Sequence, residues 1–157
     1  MLFYYKAGLF LLALLVVNLL GLSPLQAQPA NFTETLFAAP WHGSYVCNQG
    51  LTRLQLALRP RSGDRVEADF SFSADPDNPS VPKGSFRMTG SLDRRAQTLV
   101  LKQERWIEQP PDPNYRMVDL AGRFWQDDSR AVIEGQITTY GCQDFIVWQF
   151  FAVEPRP

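Results

Sequence analysis

This sequence predicts an all-β domain, an antiparallel meander of seven to eight strands rolled into a closed or nearly closed barrel. Three observations predict it. Apolar and polar residues alternate at period two through one segment after another. Turn-forming residues punctuate the chain at short, regular intervals. No stretch after residue 27 carries the apolar period of an amphipathic helix. Clean alternation also disfavours a parallel α/β sheet, whose doubly buried strands read as continuous apolar runs. A β-sandwich is the alternative with the same local pattern.

The first segment stands apart. Lys6 precedes the apolar run Ala7–Leu22, Ser23-Pro24 breaks any helix, and Ala27 offers a small residue for cleavage. One positive charge, an apolar core and a small-residue exit read as a secretory signal peptide over residues 1–27. An uncleaved anchor is the alternative, and only then would the chain hold a membrane. The run is shorter than the roughly 20 residues needed for spanning, and Asn18 interrupts it. No cysteine sits near the cleavage region to carry a lipid. Residues 28–40 form a lead-in without assigned structure, residues 41–153 the β domain, and residues 154–157 a tail.

The strands follow in order. Trp41, Gly43, Tyr45 and Cys47 share one parity of the first segment, and His42, Ser44, Val46 and Asn48 the other. After the turn Gln49-Gly50, Leu54, Leu56 and Leu58 alternate with polar or small neighbours. Pro60 to Asp64 is a turn by composition. Val66, Ala68, Phe70 and Phe72 make the cleanest alternation in the chain. Residues 74–84, with three prolines and a glycine, read as a loop. Phe86, Met88 and Leu92 mark the next strand, and Asp93–Ala96 turns into Thr98–Lys102. A second proline-rich stretch, Pro110 to Pro113, separates Trp106-Ile107 from a weaker strand over residues 115–124. Asp127-Asp128-Ser129 turns the chain, and Val132–Thr139 and Cys142–Val153 complete the series.

Cysteine usage agrees with export. Two cysteines in a secreted domain most often pair, and here they lie near opposite ends of the β domain. A Cys47–Cys142 bridge would join first and last strands and so favour closure. Two buried free thiols are the alternative. A Cys-x-x-Cys redox site is absent from the sequence.

Charge and composition exclude several function classes. The 157 residues carry a net charge of −1, which leaves no cationic footprint for nucleic acid. One histidine and two cysteines are too few for a zinc site of those residues alone. His42 is the only base of its kind, and Ser44 beside it lacks a Gly-x-Ser-x-Gly elbow. Glu67 and Asp69 share one strand face, whereas glycosidase chemistry needs carboxyls across a cleft. Asp75, Asp77 and Asn78 lack the spacing of a calcium loop, and Asp127-Asp128 sits in a turn. No phosphate cradle is present. The residues therefore predict no enzyme, no cofactor and no metal. Asn31-Phe32-Thr33 fits a glycosylation acceptor, which matters only in a source that uses it.

The aromatics are the positive hint. Trp41, Trp106, Tyr115 and Trp125 fall at strand ends or beside loops and form the predicted ligand-binding set. The competing expectation is that these rings plug the barrel ends, with their indole N–H groups bonded to backbone.

Trp41-x-Gly43-x-Tyr45-x-Cys47-x-Gln49-Gly50 resembles the opening of a small β module of exported bacterial proteins. Pro82-x-Gly84-Ser85-Phe86, Trp106-Ile107 and Gly141-Cys142-x-x-Phe145 continue the resemblance over most of residues 41–150. It implies bacterial export and a β fold, and carries no activity with it. The Tyr-x-Cys opening is more distantly similar to membrane-bound-lysozyme inhibitors, small periplasmic barrels with a disulfide. The first-strand Trp-x-Gly reverses the usual order of lipocalin-like barrels. The expectation is thus an exported, periplasmic or extracellular, monomeric and non-catalytic module that binds an envelope protein or a glycan. A small apolar-ligand carrier or a lysozyme-inhibitor-like protein is the alternative.

Overall fold

The computed structural model describes residues 32–151. The expected signal peptide, the Asn31 acceptor and the C-terminal tail lie outside these residues. A short helix α1 (Phe32–Ala38) precedes eight strands. They are β1 (Trp41–Cys47), β2 (Gly50–Pro60), β3 (Arg65–Ala74), β4 (Gly84–Asp93), β5 (Thr98–Glu108), β6 (Leu120–Gln126), β7 (Arg130–Ile137) and β8 (Cys142–Phe150). Each strand pairs antiparallel with the next, and β8 returns to β1, closing the barrel. The barrel, not the sandwich, is the fold.

Alternation explains the core. In β3, Val66, Ala68, Phe70 and Phe72 are all buried, while Glu67, Asp69 and Ser71 face outward. Leu54, Leu56 and Leu58 of β2 and Phe86, Met88 and Leu92 of β4 meet them inside. With eight strands the interior is just wide enough for side chains to fill. Closure is covalent as well as hydrogen-bonded. Cys47 faces Cys142 across the β1–β8 pair, and the two form a disulfide with Cα atoms 3.8 Å apart. Gly43 sits on the same seam, where a Cβ would collide with the Ile146 carbonyl.

Three details differ from the sequence reading. The lead-in folds as α1, and Leu36 packs its side chain, fully buried, against the barrel. Seven residues give too few turns for a helical period to register in sequence. Trp41 fixes this helix by donating its indole N–H to the Leu36 carbonyl at 3.1 Å. Second, β5 extends to Glu108 and absorbs Trp106-Ile107. Third, residues 115–119 run beside the barrel without strand pairing, so β6 starts at Leu120. As a result β5 and β6 pair over only four residues each, Thr98–Leu101 against Leu120–Arg123. Beyond Leu101 the burial alternation of β5 stops, and Lys102 to Arg105 are exposed in succession.

Candidate binding site

One end of the barrel is covered by α1. The other end carries the β1–β2 turn, the β7–β8 turn and the segment 109–119, and holds a concavity of about 680 Å3. Its floor is aromatic. Tyr45 meets Phe70 edge-on with centroids 5.3 Å apart, and Phe70 stacks on Phe86 at 4.6 Å. Trp106 packs edge-on against Phe86 at 5.5 Å, and Tyr115 stacks on Phe72 at 5.9 Å. These arrangements are the offset and T-shaped geometries that ring quadrupoles favour.

The walls are polar and positioned by turns. Gln49 donates from Nε2 to the Tyr45 hydroxyl at 3.2 Å and to Thr52 Oγ1 at 3.4 Å. Asn78 reaches over from the β3–β4 loop and donates to the carbonyls of Gln49 and Leu51, at 2.6 and 3.0 Å. That bridge fixes the β1–β2 turn, whose Gly50 adopts φ +88°. A side chain there would be strained and would meet the Asn78 amide. Burial pushes the Tyr45 phenol far above its ordinary range, against the opposing hydrogen bonds of Thr52 and Gln49. Burial, with the charge of Asp112 second, also raises Tyr115. Both phenols are neutral at physiological pH. The mouth therefore offers ring faces, hydroxyls and amides.

Of the four tryptophans and tyrosines singled out in sequence, two come together here. Tyr115, half-buried, lines the concavity, and Trp106, also half-buried, backs it by packing on Phe72 and Phe86. Trp41 is fully buried at the opposite end, under α1. Trp125 lies on the outer face, donating to Glu134 at 3.1 Å with the Arg130 guanidinium 5.8 Å from its ring centroid. Phe72, Phe86 and Tyr45 were legible only as core positions, because parity does not reveal which inward residues border an opening. Tyr140, fully exposed on the rim, and Arg116 carried no sequence signal beyond proximity to turns. The Cys47–Cys142 bridge lines the same mouth.

Of the remaining chemical candidates, Glu67, Asp69, Asp75 and Asp127 have side-chain or backbone partners, whereas the side chains of His42 and Ser44 have none among the described residues. His42 is exposed on the outside of β1, and no hydrogen bond joins it to Ser44. Glu67 and Asp69 are held in a lattice with Arg59 and Arg87. Arg59 Nη2 lies 2.7 Å from Asp69, and Arg87 Nη1 2.6 Å from Glu67. Hydrogen bonding from Arg61, foremost, keeps Glu67 below the usual carboxylate range. Asp75 accepts from the Asp77 amide at 3.0 Å and pairs with Arg53 at 3.5 Å. Asp127 accepts from the amide and hydroxyl of Ser129, at 2.8 and 2.7 Å, which pull its pKa down to about 2. Among the described residues, no group of three or more His, Cys, Asp or Glu side chains is placed to hold a metal ion. No known protein family matches the chain, and no curated protein is similar to it.

Proposed function

We propose that the chain is an exported, non-catalytic binding module that recognises a protein partner through the barrel mouth. The observation that carries this reading is Tyr140, fully exposed on the rim of a concavity floored by Phe72 and Phe86. Arg116 stands on the same rim and makes no ion pair among the described residues. Tyrosine and arginine are the residue types that dominate protein interfaces, and a desolvated aromatic floor suits an inserted anchor. Export is supported by the leader-like residues 1–27 and by a disulfide, which persists in oxidising compartments. The resemblance to an exported bacterial β module points the same way, and a lysozyme-inhibitor-like role is one specific form of this reading. An interior carrier is less favoured, because Leu56, Phe70 and Met88 fill the barrel centre.

Site-specific photo-crosslinking in the source envelope tests it. A crosslinker at position 140 is expected to trap a discrete protein adduct, and one at Ala96, in the exposed β4–β5 turn at the other end, is not. Arg116→Glu should weaken the adduct at least tenfold. Equal trapping from both positions, or none from position 140, refutes the mouth as a protein site.

A further inference from the structure

The outer faces of β2, β3 and β4 divide into two unlike halves. Toward the α1 end, the outward residues Arg59, Glu67, Asp69 and Arg87 are long, charged and mutually paired. Toward the mouth the same strands present Gln55, Ser71 and Ser85 instead. These continue a row that begins with His42 on β1, since His42 opposes Gln55, Gln55 opposes Ser71, and Ser71 opposes Ser85. Ser44 lies on the adjoining row. None of these five side chains hydrogen-bonds another protein group among the described residues.

Short side chains between tall neighbours make this strip concave. Trp148, half-buried and opposite His42 across the β1–β8 pair, forms one wall. Two ion pairs form the other, Arg53–Asp75 at 3.5 Å and Lys83–Glu108 at 3.0 Å. The valley between them holds about 620 Å3. Its charges cancel pairwise, so it selects neither a polyanion nor a polycation. Its free groups are hydroxyls, an amide and an imidazole, and Trp148 adds a part-exposed indole face.

We infer that this valley is a second binding site, and that it takes an extended, neutral glycan chain. Pyranose rings present apolar C–H faces to an indole and hydroxyls around their edges, which matches Trp148 beside the free polar row. Adjacent strands lie about 4.8 Å apart, so the row presents a polar group at roughly the interval of successive sugar units. The site lies outside the barrel wall and does not depend on the mouth reading.

The test is titration of the folded protein with the neutral hexamers of β-1,4-linked N-acetylglucosamine and of β-1,4-linked glucose, followed by calorimetry and amide chemical shifts. Saturable binding of at least one hexamer is expected, with shifts at residues 42–44, 53–55, 71–73 and 83–85. Ser71→Lys, which fills the valley without touching the core, should weaken binding at least tenfold, and Ser85→Lys should do the same. Tyr140→Ala should leave it unchanged. No saturable binding of either hexamer, shifts confined to the mouth, or indifference to both lysine variants overturns the inference. Loss of a protein adduct in Ser71→Lys without any hexamer binding also overturns it, assigning the valley to protein instead.

Discussion

The Tyr115 ring lies parallel to that of Phe72, with planes 6° apart. This stack ties the segment 109–119 to the barrel where strand pairing is missing. Aromatic pairs contribute about 0.5–1.5 kcal/mol beyond area burial. Tyr115→Ala should therefore lower stability by ~1–2 kcal/mol in urea denaturation. It should also weaken the mouth adduct, because the exposed flank of the ring is lost with the stack.

The disulfide closes a sequence separation of 95 residues. Chain entropy sets an upper figure of about 4–5 kcal/mol for such a loop, and native bridges typically give ~2–4. Replacing Cys47 and Cys142 together by alanine should cost ~3 kcal/mol by equilibrium unfolding. Intact mass after alkylation should show no modified thiol without reductant and two after reduction and denaturation.

Trp41→Phe probes the other end. The ring volume is largely retained, while the donor to the Leu36 carbonyl is removed. A buried carbonyl left without its partner costs about 1–3 kcal/mol. Hydrogen exchange should accelerate in residues 34–38 more than in β3, which would show that α1 is held by this bond. Uniform acceleration across the barrel would contradict that role.

Asp127 provides the pH dependence. Its pKa is about 2 in the folded chain, below its ordinary value of 3.8, because the Ser129 hydroxyl and amide, followed by the Arg130 amide, hold the charged form. A carboxylate depressed on folding adds stability that is full above the unfolded pKa and is lost as pH falls through the folded one. The window is therefore about pH 4 down to pH 2. Asp127→Asn should lower the thermal midpoint at pH 7, and the gap from the natural protein should narrow steadily across that window. A gap independent of pH would show that the turn is held without the charge.

The strand order and the inward faces were legible because period two assigns every residue of a strand to a side. Val66 to Phe72 could be placed inside from alternation alone, and the disulfide reading tied the two ends together. Four features were not legible. Helix α1 is held by tertiary contacts of Leu36 and Trp41, which outweigh local pattern. The extension of β5 through Trp106 depends on two register shifts against β4, and such bulges interrupt alternation. The mouth cluster required knowing that Phe72 and Phe86, far from Tyr115 in sequence, end at the same rim. The serine valley required the strand register, since Ser71 and Ser85 are ordinary polar residues until they line up with His42 and Gln55.

The thin β5–β6 pairing has a further consequence. A closed sheet under stress parts first where the fewest ladder bonds hold it, and here that is the β5–β6 seam, away from the covalent β1–β8 seam. The disulfide would keep the two chain ends joined while the barrel unzips between Leu101 and Leu120. Tyr115 and Val118 flank that line of parting, so a partner seated in the mouth would grip both sides of it. Occupancy and mechanical endurance of the barrel would then be one linked equilibrium, each raising the other.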